Sequence, residues 1–395
     1  MAEEKRKKVL ELPMKIVFNE TGISFFLKGN KKLTKFKTVD EVDQYGIYFD
    51  TFSPASVQKM LLVNYVAVLE TSRPEYMTKR QDVIDLSKLI TYGMLYRKFD
   101  EIIFGKLLDS AVVRSWNLAH SDSPIDRNTP VGEAQLAASL EVNKPFVTAI
   151  KQGIIASIVK SVQLNDTLLP EEKNLQIFLA DKFLTTLRPF VWSVFVKFRE
   201  NKELSSFLAE VESTLKDFMV KSKISDFLSM MSIELAIMAE NTNLQNFAKV
   251  RYKGTLEPVL INQDTEMRKM IVEEMRLRNQ NVFLSWRVGG ESSKTQIGRE
   301  RLQIKIFSKD SATLENKKPA LKPGEEAKTP DTIKRSLVDF YKDASGEGAG
   351  NNAELGLYYF SYLTEECSKV GVEFDGAITQ LRDSTLNVIT LTLLF

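Results

Sequence analysis

Among its 395 residues the sequence holds one cysteine and one histidine. The lone Cys367 excludes an intrachain disulfide and any zinc site built on cysteines. It fits a reducing compartment, and a cytoplasmic location is the simplest expectation. The lone His120 leaves histidine-rich metal sites, and Ser-His or Cys-His catalysis, resting on one side chain. Charge of one sign is also missing in excess: 54 Lys+Arg against 52 Asp+Glu give a net charge of +2, which offers nucleic acid no global attraction. No apolar run reaches the roughly 18 residues a membrane span requires; the most apolar window, Phe190 to Phe198, is far shorter. The first twelve residues carry Glu3, Glu4, Lys5, Arg6, Lys7, Lys8 and Glu11 with no apolar stretch behind them, so no secretory signal is predicted.

What is present suits two or three globular domains of about 100–200 residues each. Residues 1–52 read as a small β module. Met14-Lys-Ile-Val-Phe and Ile23-Ser-Phe-Phe-Leu flank Asn19-Glu-Thr-Gly, the pattern of a hairpin turn, and Leu33 to Val39 alternates. Lys28, Lys31, Lys32, Lys35 and Lys37 give the module a basic, solvated face. Residues 53–222 read as helical, with a break at 117–131. Ser53-Pro54 opens a helix whose apolar positions run from Val57 through Leu69. The stretch 83–113 reads as two helices parted near Lys98–Asp100. Val191 to Phe198 is consistent with either helix or strand.

Residues 223–395 read as an α/β layer. Ser225 to Val250 is a long amphipathic helix, and Thr265 to Asn279 a charged one. Asn281 to Val288 and Arg301 to Phe307 alternate with period two and predict an antiparallel pair. Residues 311–353 are poor in large apolar side chains, except for an amphipathic island at Thr332 to Tyr341. The chain closes with a helix, a Gly371 turn and two strands. The fold class expected is therefore α+β.

That last order of elements resembles the GHKL ATP-binding fold of gyrase, heat-shock chaperones, histidine kinases and mismatch-repair ATPases, over roughly Ser225 to Phe395. The resemblance implies a two-layer α/β sandwich with a lid-like loop at 311–353, and ATP or ADP with Mg2+ as the cofactor to consider. It also implies roles for particular residues. Glu234 stands at the family's helix Glu, but Met238 stands where the family has the Mg2+-binding Asn, and a thioether is a poor ligand for a hard cation. Asn241 is the nearest replacement. Asp310 stands at the adenine-reading Asp, with Ala312 and Leu314 in place of two glycines. Gly356 survives within Leu355-Gly-Leu357, while Asn352 and Glu354 replace the first two glycines of the phosphate cradle. Nucleotide-binding candidates are thus Glu234, Asn241, Asp310 and Gly356, with no catalytic residue and no metal ligand assigned.

These losses lead to the expectation of a non-catalytic signalling or scaffold protein, leaning away from enzyme, that uses a degenerate GHKL-like domain for protein contacts. Its partners would be other proteins, a second copy included. Two alternatives stand beside it: an active histidine-kinase-like protein or GHKL ATPase binding ATP and Mg2+, and a structural component of a larger assembly.

Overall fold

The computed structural model describes residues 9–37, 43–127, 132–202, 204–253, 265–289, 300–309, 332–337, 352–381 and 386–395. It is a mixed α+β fold. The chain divides into two compact units, one made of Met1–Met94 with Ile224–Phe395, the other of Leu95–Lys223.

Among the described residues the first unit is built on one nine-stranded sheet. Its elements before the second unit are β1 (Met14–Phe18), α1 (Glu20–Lys28), β2 (Thr34–Lys37), β3 (Asp43–Phe49), α2 (Pro54–Leu62), β4 (Val66–Arg73) and the start of α3 (Arg80–Leu108). After it come α10 (Ile224–Arg251), α11 (Thr265–Leu277), β5 (Val282–Val288), β6 (Arg301–Lys309), β7 (Thr332–Ser336), α12 (Asn352–Lys369), β8 (Glu373–Leu381) and β9 (Leu386–Leu394). The strand order is β2-β3-β1-β4-β5-β6-β9-β8-β7. The first six elements form a split β-α-β pattern, with β1 antiparallel to both β3 and β4.

The β4–β5 ladder, with Val68 opposite Arg287 and Leu69 opposite Trp286, joins the N-terminal strands to the C-terminal ones. Strands β1, β2 and β3 are therefore one end of this sheet rather than a separate module. The boundary expected at residue 52 falls inside the sheet.

Three local readings change. Ile23 to Leu27 is helix, not strand. Asn19 does not open a hairpin; its side chain caps α1 by accepting from the Gly22 N–H at 2.9 Å, and Phe18 stacks on Phe26 at 4.5 Å. Gly22 is required there, because a Cβ would sit 2.4 Å from the Tyr65 carbonyl oxygen. The helix begun at Pro54 does not run on to Leu69. Asn64 takes φ +55°, a left-handed turn that asparagine tolerates, and the β-branched run after it becomes β4. The island at Thr332 supplies β7, whose backbone pairs with β8, Arg335 opposite Ile378. The antiparallel β5–β6 pair forms as expected, Trp286 opposite Ile304.

Alternation decides which sheet face is covered. Leu284, Trp286, Ile304, Ile306, Leu391 and Leu393 are all buried, and α10 packs on β5 and β6. At the far end α12 packs on β8, with Phe360 and Phe374 rings 5.3 Å apart. Gly376 permits that approach, since a Cβ there would meet the Phe360 ring at 2.6 Å.

The second unit is helical. It holds the rest of α3, then α4 (Ala111–Ala119), α5 (Glu133–Val142), α6 (Lys144–Gln163), α7 (Pro170–Thr186), α8 (Pro189–Lys197) and α9 (Leu204–Ser222). The break expected near Lys98–Asp100 is absent; α3 runs through it as one 29-residue helix. Asp100 instead pairs with Arg188 at 2.5 Å. The apolar run at Val191 is helical, with Pro189 in its first turn and Val191, Trp192, Val194 and Phe195 buried. Phe218 anchors the core, its ring 5.1 Å from Tyr96 and 4.9 Å from Phe183. No described helix is long and apolar enough to cross a membrane.

Candidate functional site

Two features depart from the rule that polar groups face out and apolar groups face in. One is a buried ionic cluster in the first unit, and the other a helical hairpin in the second on which no residue from Ala134 through Gly153 is buried.

The cluster forms where β4 hands over to α3. The turn Met77–Lys79 leads straight into α3, and its N-cap residue Tyr76 provides no side-chain cap. The orphan N–H groups are taken by Glu240 from α10, whose Oε2 accepts from Tyr76 N at 2.5 Å and from Met77 N at 3.2 Å. Glu240 thus caps a helix 164 residues away in sequence. Its other oxygen, Oε1, binds the Arg268 guanidinium of α11. Arg268 also donates to Glu75 Oε1 at 3.0 Å and to Asn241 Oδ1 at 3.1 Å. Tyr76 seals the other side; its hydroxyl reaches the carbonyls of Thr71 and Val282, both at 3.1 Å.

Glu240 is fully buried, while the Arg268 and Glu75 side chains keep 9% and 16% of their exposure. Two carboxylates therefore share one guanidinium away from water. Burial pushes the Glu240 carboxyl up to about 7; the Tyr76 N–H and Arg268 pull it down, and the Glu75 charge pushes it further up. Burial likewise raises the Tyr76 phenol, so it stays a hydrogen-bond donor.

The nominated nucleotide-site residues fall partly here. Glu234 and Asn241 lie seven residues apart on α10, about 20° from superposition down the helix axis. Glu234 pairs with Arg80 of α3, and Asn241 is held by Arg268. Gly356 has helical backbone inside α12, four residues after the helix begins at Asn352. Asp310 lies outside the described residues. Sequence reasoning missed Glu240, Arg268, Glu75 and Tyr76. One signal was available: Glu240 falls on the buried stripe Ser229, Ser232, Ala236, Asn243, where a carboxylate needs a partner.

The lone histidine is engaged and the lone cysteine shielded. His120 lies at the C-terminal cap of α4, its ring stacked on Trp116 at 3.5 Å and its Nδ1 3.1 Å from the Trp116 carbonyl oxygen. Cys367 is 1% exposed, and burial pushes its thiol up to about 12. Among the described residues no group of three or more His, Cys, Asp or Glu side chains could hold a metal ion.

The hairpin is formed by α5 and the first half of α6. From Ala134 through Gly153 no residue is buried, and Ile154 is the first that is. Yet this stretch carries Leu136, Leu140, Val142, Phe146, Val147 and Ile150. Val142 is 81% exposed. From Ala134 to Ile150 the only charged side chains are Glu141 and Lys144, which pair with each other at 3.0 Å. Nearby in sequence, Leu164 and Leu169 of the α6–α7 turn and Phe178 of α7 are also exposed.

A family model described as a family of unknown function (DUF8084) matches residues 5–395. The chain belongs to that family. A relative in Treponema pallidum (strain Nichols), described as an uncharacterized protein, is 32% identical over 395 residues, covering 100% of both chains. This DUF8084 member therefore shares both of its units, end to end, with that relative. No solved structure matches it.

Proposed function

We propose that this DUF8084 protein is a non-catalytic scaffold that binds another protein chain through the α5–α6 hairpin. One observation carries the reading. In a helical hairpin of seventeen residues, Ala134 to Ile150, no residue is buried, Val142 is in water beside half-buried Leu136, Leu140, Phe146, Val147 and Ile150, and its only two charges neutralise each other. A surface without free charge selects an apolar, uncharged face on its partner, since a charged one would be desolvated without compensation.

The first unit supports the same reading. Glu234 and Asn241, the groups that would serve a nucleotide and its Mg2+ in a GHKL-like site, are committed to Arg80 and Arg268. A GHKL-like domain in this protein would then act as a platform for protein contacts.

Two experiments test the reading. A photo-crosslinking amino acid at Val142, introduced into the full chain in its native cells, should give one discrete protein adduct, and the same probe at exposed Lys202 should not. An absence of adduct at Val142 would overturn the docking reading. Calorimetric titration with ATP and Mg2+ should show no heat at micromolar concentrations. Micromolar binding would overturn the non-catalytic reading.

A further inference from the structure

A third feature, in the first unit, is independent of the hairpin and of the Glu240 cluster. It is the tip where α1 ends and the chain turns toward β2. Every residue from Leu27 through Lys32 is exposed. Leu27 keeps 57% of its exposure, and Phe25, two residues before it, keeps 55%. The tip is closed by hydrogen bonds. The Gly29 N–H donates to the Phe25 carbonyl oxygen at 3.1 Å and the Lys31 N–H to that of Phe26 at 3.0 Å, while Asn30 takes φ +52° to turn the chain. Phe25 is braced by two rings, Tyr65 at 4.7 Å and Phe26, edge-on, at 5.5 Å.

Three lysines share the tip. Lys28, Lys31 and Lys32 are exposed, and among the described residues no carboxylate pairs with any of them. Lys35, further on, is neutralised by Asp43 at 2.7 Å. Ordinary structural roles account for part of this charge. A cation in the last turn of a helix answers the helix dipole, which covers Lys28. Lysine guards an edge strand, which covers Lys35 and Lys37 on β2. Neither role requires Lys31 and Lys32, nor the two large apolar side chains left exposed on the same tip.

We propose that the α1 tip docks on an anionic lipid surface, with Phe25 and Leu27 entering the bilayer interface and Lys28, Lys31 and Lys32 holding the headgroups. A bilayer supplies both chemistries that the tip combines, since acyl chains lie directly beneath a layer of anionic headgroups. Phe25, Leu27 and Lys28 rise through only about 4.5 Å of helix, so both contacts form at one end of α1. An uncharged protein face fits less well, because it would desolvate the lysines without compensation. Nucleic acid also fits less well. Residues 9–72 contain no arginine, the side chain most suited to reading bases and clamping phosphates. Leu27 has no ring for a base to stack on, and the ring of Phe25 is already packed on its neighbours. The contact is peripheral and crosses nothing.

Sedimentation of the full chain with lipid vesicles provides the test. Vesicles of phosphatidylserine mixed into phosphatidylcholine should carry the chain down, and vesicles of phosphatidylcholine alone should not. Salt at about 1 M, which shortens the screening length to about 3 Å, should release it. Lys31→Gln combined with Lys32→Gln should weaken binding by about fivefold per lysine; both side chains are exposed and unpaired, so the variant keeps the fold. Leu27→Ser should weaken it by about fivefold. A polarity-sensitive dye on Leu27→Cys, with Cys367 buried and silent, should shift to the blue on the phosphatidylserine vesicles. Equal sedimentation with both kinds of vesicle, none with either, undiminished binding by the lysine variant, or an unshifted dye would each overturn the proposal. If the same lysines hold a mixed-sequence DNA single strand and no vesicle, the surface belongs to nucleic acid and the lipid assignment fails.

Discussion

The Glu240 cluster and the α5–α6 hairpin break the same rule in opposite directions. At the cluster, charge is buried; at the hairpin, Val142 is left in water and the other large apolar side chains stay half-buried. The cluster is self-sufficient, because the groups it takes from water meet partners on α10, α11 and the entrance to α3. The helices of the hairpin pack on α7, α8 and α9, yet no described residue from Ala134 through Gly153 is buried. A violation satisfied within the chain speaks of architecture, and one left open speaks of a partner. The comparison sets structural work at the first unit's most conspicuous polar residues beside the contact work proposed for the second unit's surface.

Substitutions in the two regions should behave differently. The largest effect is expected at Arg268→Ala, which leaves two buried carboxylates facing each other. Breaking a buried pair from one side costs about 3–5 kcal/mol, and urea unfolding should show a loss of that size. A loss below about 1 kcal/mol would mean that the cluster is hydrated and the contrast false. Next comes the pH dependence. Glu240 titrates higher folded than unfolded, so its contribution is fully present below the ordinary glutamate range and is lost as pH rises through about 7. Wild-type stability should fall from pH 6 to pH 8 by about 1 kcal/mol more than that of Glu240→Gln, read from urea midpoints at each pH.

A smaller effect is expected at Asn19→Ala, which removes the α1 cap and should cost about 1 kcal/mol, read in the same way. The smallest change in stability is expected at Val142→Lys, within about 0.5 kcal/mol, because the side chain is already in water. That variant should nevertheless abolish the partner complex on native gels. A large stability loss at Val142 would place it in the core and erase the distinction between the two regions.

Much of the sheet was legible before the structure. β5 and β6 alternate with period two, the last two strands follow the Gly371 turn, and α10 shows its apolar stripe. The elements that misled are short. Ile23 to Leu27 fits strand or helix equally until Asn19 is seen to cap it, and the run through Leu69 divides only because Asn64 turns left-handed. The joining of 14–49 to the C-terminal strands had no local signal at all, since β4 and β5 are about 200 residues apart in sequence and register is a property of the pair. Of the candidate site, Glu234 and Asn241 were nominated for nucleotide chemistry and are found in ion-pair and hydrogen-bond contacts with arginines. Glu240, the residue that organises the cluster, was hidden because one carboxylate in an amphipathic helix reads as surface until its burial is known.

The scarcity of cysteine allows a direct test of the docking surface. Cys367 is buried, with its thiol held up to about 12, so it contributes little background to thiol labelling. A Val142→Cys chain should react rapidly with a maleimide when purified and be strongly protected in intact cells, where the partner covers the hairpin. Equal labelling in both settings would show that the hairpin stays bare and would contradict the proposed function.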